Sequence, residues 1–120
     1  MRGLGELEKA VMDVLWHADA PLKVRDVLEQ LDTGKTLAYT TVLTVLDNLH
    51  RKQWVGRERS GKAYLYQPTL SRTQAAANSL REVLDSSGDP ESVLLHFAQS
   101  VSPQESVVLR KGLSKQAKRE

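Results

Sequence analysis

Thr40, Thr41, Thr44, Asn48 and Arg51 share a stretch whose spacing suits one chemistry, hydrogen bonding to an array of polar edges. Hydroxyl and amide groups bond to base edges or phosphate oxygens, and a threonine methyl can touch a thymine methyl. Short side chains also let a helix backbone approach a groove closely. A plain surface helix would carry Glu, Lys and Gln instead, which favour helix and stay solvated. Taken singly, each threonine near a helix start reads as a cap or first-turn residue. Taken with Asn48 and Arg51, they read as a groove-facing set.

At about 100° per residue, Val42, Val45, Leu46 and Leu49 form one apolar stripe. Thr40, Thr44, Asp47 and Arg51 lie opposite, with Thr41 and Asn48 on the shoulder. Asp47 is out of character there, because a carboxylate facing phosphates is unfavourable; it either points aside or holds Arg51 one turn on. Lys52 follows directly, and then two extended runs, Trp54–Arg59 and Lys62–Gln67, flank Ser60-Gly61, a hairpin turn signal. A two-residue turn there would pair Arg59 with Lys62, Arg57 with Tyr64 and Val55 with Tyr66. Arg57 over Tyr64 would be a cation–π pair that stiffens the ribbon. Arg59 and Lys62 have no comparable structural task and suit a wing touching phosphates. Trp54, Tyr64 and Tyr66 read as core.

These residues need a frame. Leu4, Leu7, Val11, Val14 and Leu15 predict an amphipathic helix over 4–17, broken by Asp19-Ala20-Pro21. Val24, Val27, Leu28 and Leu31 predict a short second helix, closed by Gly34, and a third runs from about Ala38 to Gln53. Three helices and a hairpin, in that order, predict a winged helix-turn-helix over residues 1–70. Residues 71–120 read as a second, helical region. Ser71 with Gln74 makes a capping box, Ser86-Ser87-Gly88 a stop, and Asp89-Pro90 and Ser102-Pro103 two further starts. The tail from Ser114 is expected to fray. The fold class is therefore mainly α with a small β-hairpin wing.

Composition narrows the function. The chain has 120 residues, 40% hydrophobic and 27% charged, which is too apolar for disorder and enough for one domain with an appendage. Its net charge is only +2, but residues 35–68 hold six cations against two acids, leaving −2 for the rest. The positive excess coincides with the candidate reading surface. There is no cysteine, which removes disulfides and thiolate metal sites. His17, His50 and His96 make no ligand spacing, and no phosphate loop or nucleophile–base pattern occurs. We expect no enzyme, no metal, no cofactor, no direct membrane binding and a cytoplasmic location.

The segments LGELEKAVMDVLW, LAYTTVLTVLDNL, GKAYLYQP and LLHFAQSVSPQE resemble the penicillinase-repressor family, the BlaI/MecI type that also includes CopY-like copper repressors. The resemblance implies a dimeric repressor that binds double-stranded DNA at a dyad operator with TACA/TGTA-like half-sites, regulating beta-lactam-resistance or related genes. It also implies release by a membrane-bound sensor protease. The cleaved Asn-Phe bond of such repressors corresponds to His96-Phe97, and the missing cysteines exclude a thiolate copper switch. Where the family often has Lys-Lys-Gly after the recognition helix, this chain has Arg51-Lys52-Gln53.

Independently of the resemblance, about 43 residues from Ser71 are too few for a dependable core of their own. Leu80, Val83, Leu84, Val93, Leu94, Phe97, Val107 and Val108 would then pair with the same segment of a second chain. Two other readings stay open: a winged-helix module that binds protein, and a DNA-binding repressor released by a ligand.

Overall fold

A computed structural model describes residues 4–32 and 36–119; the expected stop at Gly34 lies outside them. The elements are α1 (Glu6–His17), α2 (Val24–Gln30), α3 (Tyr39–Arg51), β1 (Val55–Ser60), β2 (Ala63–Pro68), α4 (Arg72–Asp85), α5 (Pro90–Ser100) and α6 (Pro103–Arg119). The first five elements, three helices and an antiparallel hairpin, have the winged helix-turn-helix order expected. Two compact units divide between Leu80 and Arg81, inside α4. The expected boundary at residue 70 falls just before Arg72, where that helix begins.

The first unit has one apolar core. Val11, Met12 and Leu15 of α1, Val24 and Val27 of α2, and Val42, Val45, Leu46 and Leu49 of α3 are buried. Trp54, Val55, Tyr66 and Ala75 complete the cluster. Helical periodicity thus selects one stripe per helix, and fully burying each aliphatic side chain contributes roughly 1.5–3 kcal/mol. The opposite side of α3 is left to water, and that side carries the candidate reading residues.

Three details fix the frame around α3 and the hairpin. The α3 C-terminus closes in a Schellman arrangement, with Trp54 N donating to Leu49 O at 2.9 Å and Gln53 N to His50 O at 3.0 Å. Gln53 occupies the left-handed position at φ +68°, where glycine is the usual residue. The hairpin base is joined to the α1–α2 connection by a backbone bridge: Leu22 N donates to Tyr66 O at 2.9 Å, and Tyr66 N to Leu22 O at 2.7 Å. Trp16 Nε1 donates to Leu70 O at 3.0 Å, while Arg72 lies 5.0 Å from the Trp16 ring and 2.9 Å from Asp13. The start of α4 is thereby seated on α1.

In the second unit, the predicted starts are in place. Asp89 Oδ1 accepts from Ser92 N at 3.3 Å, and Ser102 and Glu105 bond reciprocally at 2.9 and 3.1 Å. The Ser71–Gln74 capping box of α4 is likewise reciprocal, at 3.0 and 3.1 Å. One expectation is overturned here. The segment after Leu113, expected to leave the helix, is instead helical, because α6 continues to Arg119. Lys111, Lys115, Gln116, Ala117 and Lys118 are all compatible with helix, and cations near a helix C-terminus complement its dipole.

Candidate nucleic-acid interface

Thr40, Thr41, Thr44 and Arg51 are exposed on α3, and Asn48 is half-buried beside them. The polar groups of Thr44, Asn48 and Arg51 already have partners. Thr44 Oγ1 donates to Thr40 O at 2.9 Å, a local back-bond that satisfies a hydroxyl inside a helix. Arg51 Nη2 donates to Asn48 Oδ1 across one turn. Binding a duplex through this face is therefore an exchange of hydrogen bonds.

Asp47 does not hold Arg51. Its Oδ1 lies 3.0 Å from Nη1 of Arg57, on β1. Of the two expected arrangements, pointing aside is the one found, and the hairpin supplies the partner across the α3–β1 seam. Arg57 also sits over Tyr64, with 4.3 Å from its guanidinium carbon to the ring centroid, as expected from their types. Tyr64 in turn meets the ring of buried Tyr66 edge-on at 6.3 Å. Burial pushes the Tyr66 phenol pKa up, against the opposing pull of the Arg57 guanidinium.

The hairpin register differs from the one expected. Arg59 pairs with Tyr64, Arg57 with Tyr66 and Val55 with Pro68, while Ser60 pairs with Ala63. The turn is centred on Gly61-Lys62. Gly61 takes the first central position at φ +64°, the place a II′-type turn reserves for glycine. Every partner moves by two residues, so each side chain stays on its expected face. Arg57 consequently meets Tyr64 diagonally instead of directly opposite.

Arg59 and Lys62 are both exposed at the hairpin tip. Arg59 has modest local support, donating from Nε to Gly61 O at 3.3 Å and lying 5.8 Å from the Tyr64 centroid. Lys52 is differently placed. It caps the end of α3, and its Nζ reaches Glu8 Oε1 and Oε2 at 2.8 and 3.0 Å. Sequence reasoning missed Glu8 as that partner, and the only signal available was an acid in the first turn of α1. His17 bonds the Asp13 carbonyl through Nδ1 at 2.8 Å, closing its own helix. Among the described residues, no group of three or more metal-ligating side chains converges, and no helix is long and apolar enough to cross a membrane.

The expected dimer residues belong to α4, α5 and α6. Leu80 and Val108 are 66% exposed, Val83 65%, Leu94 and Phe97 52%, Val107 51% and Val93 39%; Leu84 is half-buried. No residue of α5 is buried. The His96–Phe97 bond lies within α5, where the backbone is helical.

Comparison with known proteins agrees with this geometry. A family model described as penicillinase repressor matches residues 4–115. Transcriptional regulator BlaI of Mycobacterium tuberculosis (strain CDC 1551 / Oshkosh) is 40% identical over 114 residues, covering 92% of this chain and 83% of that protein. The solution structure of the DNA binding domain of the repressor BlaI superposes with a TM-score of 0.52 at 22% identity, covering 61% of this chain and 92% of that one. The crystal structure of Streptococcus pneumoniae FabT in complex with DNA gives 0.50 at 21% identity, covering 96% and 74%. At those identities the two structures speak to the winged-helix fold alone. The family match and the 40% relative carry more, and by them this chain belongs to the penicillinase repressor family of DNA-binding transcriptional regulators.

Proposed function

We propose that this chain acts as a homodimer that occupies a dyad operator and blocks transcription. The observation that carries the reading is the outward face of α3, where Thr40, Thr41, Thr44, Asn48 and Arg51 stand clear of the core. The hairpin tied to that face by Asp47 and Arg57 adds Arg59 and Lys62. Helix residues would read base edges while the tip cations contact phosphates. Lys52 borders the surface with Glu8 as its resting partner.

Dimerisation is supported by the exposed apolar side chains of α4, α5 and α6, which have too little company to stay in water. Joining two half-site contacts makes the second nearly intramolecular, raising affinity by about 10²–10⁴. Separating the protomers ends repression. The half-sites proposed are TACA/TGTA-like, the regulated genes those of beta-lactam resistance or related functions, and the location cytoplasmic. Release by a sensor protease at His96-Phe97 would require α5 to unwind locally first.

Ligand-controlled release is the second reading, and one feature favours it: a cleft of about 320 Å³ among Trp16, Trp54, Arg72, Ala75 and Ser79, within the first unit. The deciding experiment is a binding titration with a palindromic TACA/TGTA duplex and with its isolated half-site across a salt series. Steep salt dependence and a large palindrome preference support the dimeric repressor. Salt-independent binding, or equal affinity for the two probes, overturns it.

A further inference from the structure

Arg57, rather than either hairpin-tip cation, has the more deliberate surroundings. It bridges β1 to α3 through Asp47 at 3.0 Å and lies on Tyr64 at 4.3 Å. Tyr64 rests on buried Tyr66, whose backbone is bridged to Leu22. A continuous run of contacts therefore leads from the outward side of α3 into the core. The Arg57 and Asp47 side chains are 27% and 47% exposed. Ion pairs this open contribute little to stability, so folding gives the pair little reason to be there.

Its place on the surface gives a better one. Asp47 lies at the edge of the outward arc of α3 that meets the hairpin, one turn from both Thr44 and Arg51. An uncompensated carboxylate there would repel phosphates, and an uncompensated Arg57 would attract any phosphate regardless of sequence. Paired, the two cancel, and the hairpin is pinned at one position against the helix.

We propose that Asp47 and Arg57 form a specificity clamp, in which Arg57 is a positioning residue that fixes the wing against the reading helix. Through its bond to Asp47, the same pair withholds one cation from indiscriminate phosphate contact. The proposal rests on the DNA-binding reading above. Breaking the clamp from its two ends has unequal results. Asp47→Asn frees Arg57, so binding to unrelated duplexes tightens, the salt slope steepens by about one, and the preference for the chosen sequence falls several-fold. Arg57→Ala leaves the carboxylate facing phosphates, so all duplexes bind more weakly. Adding Asp47→Asn to Arg57→Ala restores part of that loss. A purely structural pair would weaken binding alike from either end, with no rescue and no steeper slope.

The test uses the full chain and two probes: a duplex enriched by the wild-type protein from a randomised pool, and the same duplex with its bases scrambled. Fluorescence anisotropy across a salt series gives slope and preference for the wild type, both single variants and the double variant, with thermal melts confirming that each is folded. A steeper slope and lower preference for Asp47→Asn, with partial rescue in the double variant, support the clamp. A folded Asp47→Asn protein with wild-type slope and preference overturns it while leaving DNA binding intact. Failure of the wild type to enrich any duplex overturns the DNA-binding reading, and the clamp with it.

Discussion

Lys52, at the C-cap of α3, places its Nζ 2.8 Å from Oε1 of Glu8, a residue in the first turn of α1. The same carboxylate oxygen accepts from the Gly5 amide at 3.0 Å. One side chain therefore caps the first helix and anchors the end of α3. Burial raises the Glu8 pKa, but the Lys52 hydrogen bond, the Gly5 amide and the Lys52 charge together outweigh it and hold the carboxyl below its ordinary 4.5. Because the folded-state value is depressed, the resulting stability is present above the ordinary value and is lost as pH falls through the folded one. Glu8→Gln should cost about 1–2 kcal/mol at neutral pH. The gap between its melting temperature and that of the wild type should narrow in acid. A gap unchanged from neutral pH to about pH 3 contradicts the assignment.

Gln53 stands at φ +68° in a position that a glycine fills without strain. Gln53→Gly removes that strain, worth about 1–2 kcal/mol for a left-handed residue, and returns part of it through a more flexible unfolded chain. The net result should be a gain of up to about 1 kcal/mol, measured by denaturant midpoint. A loss of stability would mean the Gln53 side chain contributes something its backbone geometry does not reveal.

On the proposed reading face, Arg51→Ala should cost about 1–3 kcal/mol in binding the preferred sequence, with a smaller loss for Thr44→Ala. Both residues are exposed, so melting temperatures should hold. Unchanged affinity in both variants would remove α3 from the role proposed for it.

The hairpin tip should behave differently. Replacing Arg59 and Lys62 together by alanine should weaken all duplexes about equally and flatten the salt slope by about two. A loss confined to one base pair would show that the tip reads sequence.

Phe97 is 52% exposed on α5. Phe97→Asp should yield monomers by analytical ultracentrifugation and weaken palindrome binding far more than half-site binding. The first unit should melt as before, since Phe97 is no part of its core. A stable dimer would place the interface elsewhere.

Helical periodicity and capping chemistry made most of the fold legible. The stripe Val42, Val45, Leu46 and Leu49 is buried as its spacing requires, and Ser71, Asp89 and Ser102 start their helices. Those signals are local, and so are the forces behind them. The failures came where partners are distant or turn chemistry is ambiguous. Nothing adjacent to Asp47 announces Arg57, and nothing near Lys52 announces Glu8. Ser60-Gly61 and Gly61-Lys62 are both acceptable turn centres, and the positive φ of Gly61 at the first of the two positions goes with the second. The exposure of the proposed reading face was legible because short polar groups on an outward helical arc are unusual. Its internal pairings were not.

The Leu22–Tyr66 bridge bears on how portable the wing is. An excised two-stranded ribbon is marginal in water at best, and this one takes its third line of backbone pairing from Leu22, which lies before α2 and α3 in the chain. Transplanting the fingertip cations onto another scaffold would therefore require that early loop as well. During synthesis, the ribbon should acquire its final shape only by closing back onto chain made long before it.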